Sequence, residues 1–238
     1  DRFMRVAAAL LRSTMFEILR AAITVVFAVI SLLTFPFAPL TRYRIITLWT
    51  RIVLWLGRIV CGVHYRVLGA EHLPKIPCIV LSKHQSAWET LAFQILLPPQ
   101  VWVLKRELLK VPFFGWGLAM MSPIAIDRGS VTRALKQMLE QGRQRLTDGW
   151  WIVVFPEGTR IAPGHRGRYH VGGAWLACQT GAAVVPIAHN AGTLWRKNAL
   201  VKFPGTITVS IGPAMQTRGE KAETLNQKVE DWIESEVA

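Results

Sequence analysis

Hydrophobic positions follow two different rhythms along this chain. From residue 21 to residue 41 no charged side chain interrupts a run of 21 that includes Ile23, Val25, Val26, Phe27, Val29, Ile30, Leu32, Leu33 and Phe35, long enough as a helix to cross a hydrocarbon core. Pro36 and Pro39 break its far end. A second apolar stretch, residues 45–63, carries Arg51 and Arg58, and with Arg44 these recur every seventh residue, which on a helix makes one cationic stripe. Beyond Cys61 the runs become short and are separated by Gly, Pro and charged clusters, the mark of a folded domain that starts near residue 62.

Seven of the short runs are predicted strands: residues 64–68, 78–81, 101–104, 124–126, 151–155, 184–188 and 207–211. Several are rich in Val and Ile without alternation, as strands covered on both faces are. Residues 131–146 read as an amphipathic helix with Val131, Leu135, Met138 and Leu139 on one face and Ser130 as its cap. Residues 222–237 repeat the pattern with Leu225, Val229, Trp232 and Ile233. The alternation predicts an α/β domain over residues 63–238, a mostly parallel central sheet flanked by helices. A membrane-embedded two-helix hairpin is expected to precede it, over residues 1–62.

Charge sharpens the expectation for the hairpin. Lys and Arg number 28 against 15 Asp and Glu, a net charge of +13. Arg2, Arg5, Arg12 and Arg20 precede the uncharged run, and Arg42 and Arg44 follow it, whereas a single crossing should carry its cationic flank on one side only. The pattern favours a hairpin that enters one leaflet from a surface of anionic lipid. A cleaved signal peptide fits poorly, because the run is long and leads into a further apolar helix. Nucleic acid is not expected as a partner, since the basic residues are dispersed and accompany apolar helices. Three widely spaced cysteines, Cys61, Cys78 and Cys178, indicate neither a disulfide framework nor a metal site.

The informative polar residues fall just after predicted strands: His84, Lys105, Asp127 with Arg128, and Glu157 with Arg160. If those strands run parallel, all four groups line the sheet edge where α/β proteins bind ligands. His84 is a base with a carboxylate, Glu89, five residues on. Ser86 to Glu89 also reads as a capping box, so orienting an imidazole and capping a helix compete for one carboxylate. The string from Phe155 to Arg160 joins a carboxylate, a turn-forming glycine, a hydroxyl and a guanidinium. Lys105, Arg128 and Arg160 together suit a dianionic phosphate. Singly, Lys105 can be a solvated charge, Arg128 can pair with Asp127, and Arg160 can belong to the basic loop through His165, Arg166 and Arg168. That loop could also meet coenzyme A phosphates or an acidic carrier protein. A base beside an anion clamp points to acyl transfer onto a phosphate-bearing alcohol; the other readings are a related acyltransferase using glycerol-3-phosphate or another lysolipid acceptor, and a non-catalytic membrane-surface protein that binds phosphatidic acid.

The ordered set of His84 to Glu89, Lys105 with Val111, Pro112 and Gly115, Asp127 with Arg128, Phe155 to Arg160, and Val184 to Ile187 resembles the glycerolipid acyltransferase family. The resemblance implies that His84 is a general base oriented by Glu89, with no covalent acyl-enzyme. It also implies phosphate contacts from Lys105 and Arg128 and substrate contacts from Glu157, Gly158, Thr159 and Arg160. The expected acceptor is lysophosphatidic acid and the expected donor acyl-coenzyme A or acyl-acyl carrier protein, with no resident cofactor. The expected place is the bacterial inner membrane, with the active site facing the cytoplasm. One departure stands out: the family's commonest acid after the histidine is Asp, and Glu89 is one methylene longer.

Overall fold

The computed structural model describes residues 2–112, 114–127 and 129–237. Two long helices, α1 (Arg2–Leu33) and α2 (Pro39–Cys61), lead into β1 (Val63–Leu68) and β2 (Ile79–Ser82). There follow α3 (Trp88–Leu96), β3 (Gln100–Lys105), α4 (Phe114–Ala119), β4 (Ile124–Ile126), α5 (Val131–Thr147) and β5 (Trp151–Val154). The chain ends with α6 (Gly172–Thr180), β6 (Val184–His189), α7 (Ala191–Leu194), β7 (Gly205–Ile211) and α8 (Ala222–Val237). Each predicted strand overlaps an observed one.

The seven strands form one sheet in the order β1-β7-β6-β2-β5-β3-β4. All neighbours run parallel except β6 and β7. The carboxyl ends of β6, β2, β5, β3 and β4 therefore share one edge. The missing alternation in β2 has a direct cause. Cys78 and Val80 enter one core while Ile79 and Leu81 enter the other, so both faces of the strand need apolar side chains. One layer is built from α2 and α3, the other from α5, α6 and α8. Ser130 accepts a hydrogen bond from the Arg133 N–H at the start of α5, and Gly62 closes α2 in a left-handed conformation (φ 69°).

The two N-terminal helices differ in what they bury. Tyr43, Val53, Leu54, Leu56 and Cys61 on one face of α2 pack into the domain, while Arg44, Arg51 and Arg58 stay exposed. Helix α1 is long and apolar enough over Met4–Leu33 to cross a membrane, and only 11% of its 18-residue apolar window is buried. It touches the domain through a few points. Phe16 packs edge-on against Trp195 at 5.2 Å, Ser13 accepts from the Lys202 N–H at 2.9 Å, and Glu17 pairs with the Lys202 ammonium. Trp49 of α2 donates to Thr24 of α1 at 3.1 Å.

Candidate active site

β2 is ringed by β5 and β6, and its last turns deliver His84 to the shared edge. The ladder continues one residue past the strand, with the Lys83 N–H donating to Ile187 at 3.0 Å. His84 is then held from both sides: its N–H donates to Glu157 Oε2 at 3.1 Å, and its carbonyl accepts from the Ile161 N–H at 2.8 Å. The imidazole stacks on Phe155, with ring centroids 3.9 Å apart and planes 13° from parallel. A ring fixed by its backbone and by a stacked neighbour has little freedom left but to present its edge.

The competition for Glu89 resolves in favour of both roles on a single atom. Glu89 Oε1 accepts from the Gln85 and Ser86 N–H groups at 2.8 and 2.7 Å and lies 2.9 Å from His84 Nδ1. Ser86 Oγ in turn accepts from the Trp88 N–H at 3.1 Å. Burial alone would raise the Glu89 carboxyl, but the neighbouring His189, the His84 hydrogen bond and the Ser86 N–H outweigh it and hold the group below its ordinary value. An ionised oxygen that already accepts two backbone N–H bonds can only accept again, so Nδ1 carries the proton and Nε2 keeps a free lone pair. The extra methylene of Glu over Asp is accommodated within this arrangement.

Glu157 is buried, and its carboxylate faces the protein. Oε1 accepts from Lys83 Nζ at 2.8 Å and the Gly167 N–H at 3.2 Å, while Oε2 takes the His84 N–H. Gly158 follows in a turn closed by its N–H on Phe155 O at 3.0 Å, at φ 65°, a conformation that strains a residue with a side chain. Thr159 is exposed and Arg160 half-exposed; the Arg160 carbonyl accepts from Lys197 Nζ at 3.2 Å. Lys105, at the end of β3, is exposed. Among the described residues neither the Lys105 ammonium nor the Arg160 guanidinium has a hydrogen-bond or ion-pair partner. Arg128 lies outside the described residues. Its neighbour Asp127 accepts from the Gly129 N–H at 2.9 Å and from Arg133 at 3.2 Å.

The fold thus brings His84, Glu89 and Glu157 into one hydrogen-bonded cluster. It places Lys105 two strands away across β5, roughly 10 Å at ordinary strand spacing. Three participants escape the sequence patterns. Lys83 is fully buried, with its ammonium on Glu157, on Glu234 at 2.7 Å and on the His165 carbonyl at 3.3 Å. His189, also buried, places Nε2 2.8 Å from the Lys83 carbonyl and accepts from the Ala191 N–H at Nδ1, so its proton sits on Nε2. Burial, the largest influence, keeps it below the ordinary histidine range. The rule that polar residues at strand carboxyl ends matter would have found His189 had the sixth strand been extended by one residue. Nothing local marks Glu234.

The arrangement suits proton abstraction near exposed cations; comparisons with known proteins bear on the family. The acyltransferase family model matches residues 64–190. The chain is 46% identical over 233 residues to a 1-acyl-sn-glycerol-3-phosphate acyltransferase of Pseudomonas aeruginosa, covering 96% of this chain and 91% of that one. It is 32% identical over 178 residues to a mouse 1-acyl-sn-glycerol-3-phosphate acyltransferase alpha, covering 71% and 61%. The fold is similar to the crystal structure of a 1-acyl-sn-glycerophosphate acyltransferase from Thermotoga maritima, at TM-score 0.76 and 21% identity over 98% of this chain and 97% of that one.

Proposed function

Since the chain belongs to the acyltransferase family, we propose that it transfers a fatty acyl group from a thioester to the sn-2 hydroxyl of lysophosphatidic acid, releasing phosphatidic acid and a free thiol. His84 Nε2 takes the hydroxyl proton while that oxygen attacks the thioester carbonyl. The C–S bond then breaks, and the departing sulfur takes the proton back from the imidazolium. No covalent acyl-enzyme is needed. The observation that carries this reading is the 2.9 Å contact of His84 Nδ1 with a carboxylate oxygen already held by two backbone N–H groups, because it leaves Nε2 as the free base.

Lys105, Arg160 and Arg128 are the cations for the acceptor phosphate, and Gly158 and Thr159, next to Arg160 in the chain, contact the substrate. Glu157 acts by holding the backbone of His84. The donor is acyl-coenzyme A or acyl-acyl carrier protein, met by the basic side of the same edge.

Residues 1–62 form the membrane anchor of the α/β domain 63–238, although the inner face of α2 is shared with that domain's core. Leu11, Val25, Leu33 and Phe35 are 72%, 67%, 69% and 70% exposed, part of an apolar face far too extensive to be left in water. Along α2 the exposed Leu48, Ile52, Trp55 and Ile59 lie beside the row of Arg44, Arg51 and Arg58, which extends about 21 Å along the axis. A cationic row of that length keeps one depth only if the helix lies along the surface, which supports a hairpin seated in one leaflet against anionic lipid, on the cytoplasmic face of the bacterial inner membrane.

The test is thiol release from an acyl thioester by the purified, lipid-supported protein, with and without lysophosphatidic acid, alongside His84→Ala. Acceptor-dependent release that the substitution abolishes is expected. Release that is equal in both proteins would remove His84 as the base, and none with either donor class would remove the reaction.

A further inference from the structure

The C-terminal helix reaches the catalytic histidine through a buried relay. Asn226, Glu230 and Glu234 stand four residues apart on α8 and so form one row, which faces the segment between the Phe155–Arg160 string and α6. Asn226 donates to the Tyr169 carbonyl at 3.2 Å, Glu230 pairs with Arg166 at 2.7 Å, and Glu234 accepts from the Tyr169 hydroxyl at 2.8 Å and from Lys83 at 2.7 Å. Burial, followed by the hydrogen bond to Glu234 and the charge of Glu157, pushes the Tyr169 phenol up, so it remains a donor. Lys83 has three ammonium protons and three acceptors, Glu157, Glu234 and the His165 carbonyl. Its side chain is fully buried, where a charge is tolerated only when paired and hydrogen-bonded.

We propose that Glu234 is a positioning residue for His84, acting through Lys83 and Glu157 to set the backbone from which the imidazole is presented. The link is continuous: Glu234 fixes the Lys83 ammonium, Lys83 fixes Glu157 Oε1, and Glu157 Oε2 holds the His84 N–H at 3.1 Å. Lys83 is also the residue directly before His84, so its side chain and its peptide constrain the base from two directions. Glu234 lies outside the residues 64–190 matched by the family model. The proposal rests on the reading of His84 as the base.

Glu234→Gln keeps the length and one acceptor oxygen but removes the charge that faces Lys83. Because a small misplacement of a reacting group is costly, kcat should fall about tenfold, with the KM of donor and acceptor within about twofold of the unaltered protein and Tm little changed. Glu230→Gln is the control: it lies one turn away on the same helix and meets Arg166 and not Lys83, so its kcat should stay at the unaltered level. Tyr169→Phe deletes only the hydroxyl that steers Glu234 and should lower kcat in the same sense by a smaller factor. Unchanged kcat in a folded Glu234→Gln or Tyr169→Phe protein overturns the proposal, as does an equal loss in Glu230→Gln or a loss confined to KM. If the unaltered protein shows no acceptor-dependent turnover, the acyl-transfer reading itself is overturned, and the role of Glu234 falls with it.

Discussion

The two ends of the catalytic sheet edge are built on opposite plans. Around β2, β5 and β6, His84, Glu89, Glu157 and His189 are tied to backbone and to one another, in surroundings that exclude most solvent. Around β3 and β4, Lys105 is exposed, and the Asp127 side chain meets its own loop and the exposed Arg133 on α5 while its N–H donates to Gln137. The difference matches what each end has to do. A general base works through orientation, since proton transfer needs the lone pair aimed at one atom. A phosphate is attracted over several ångströms, and a cation already paired inside the protein would have to give up its partner first. In the proposed mechanism, rigidity is therefore concentrated at the base and free charge at the anion site.

The largest expected effect breaks the rigid end. His84→Ala should lower turnover by about 10² to 10⁴ with Tm preserved, read by thiol release and thermal melting on one preparation. Glu89→Gln comes next: the acceptor that fixes the Nδ1 proton becomes a neutral amide, and kcat should fall on the order of 10² while acceptor KM stays near its original value. A loss confined to KM would move Glu89 from the base to substrate binding. Lys105→Ala at the free end, and Arg160→Ala in the string after β5, should each raise acceptor KM about tenfold, equivalent to roughly 1.4 kcal/mol, with Tm unchanged. If kcat fell instead at constant KM, the contrast between the two ends would be lost.

The smallest effect is a pH dependence of stability. His189 is held below its ordinary value near 6.5, so the unfolded chain takes up this proton more readily than the folded one. Its neutral form thus contributes fully above that pH, and stability is lost as pH falls through 6.5 toward the lower folded value, at up to about 1.4 kcal/mol per pH unit. Melting the unaltered protein and His189→Gln between pH 7.5 and 5.5 should give a shallower fall for the variant. Equal slopes would assign the acid sensitivity to another group.

Much of this molecule follows from local patterns. The apolar runs that became β2, β5 and β6 are short and bounded by turn residues, and a strand covered on both faces must be apolar at every position. Ser130 at the start of α5 works through its own neighbour three residues on, and Glu89 lies five residues from His84, near enough for either of its two roles. These are interactions between residues close in sequence, so the chain by itself determined them, together with the cationic strand ends and the long apolar helix α1.

What the tertiary structure decided are the pairings across long stretches of chain. The family resemblance implies a substrate contact from Glu157. Only the folding of β5 against β2 shows that both its oxygens are taken by Lys83, His84 and Gly167. The insertion of β7 between β1 and β6, parallel to the first and antiparallel to the second, the share of α2 in the domain core, and the approach of Glu234 to Lys83 across 151 residues have the same origin. No short-range pattern encodes them, because whether a charged side chain meets solvent, substrate or a buried partner depends on which distant segments the packing brings to its side.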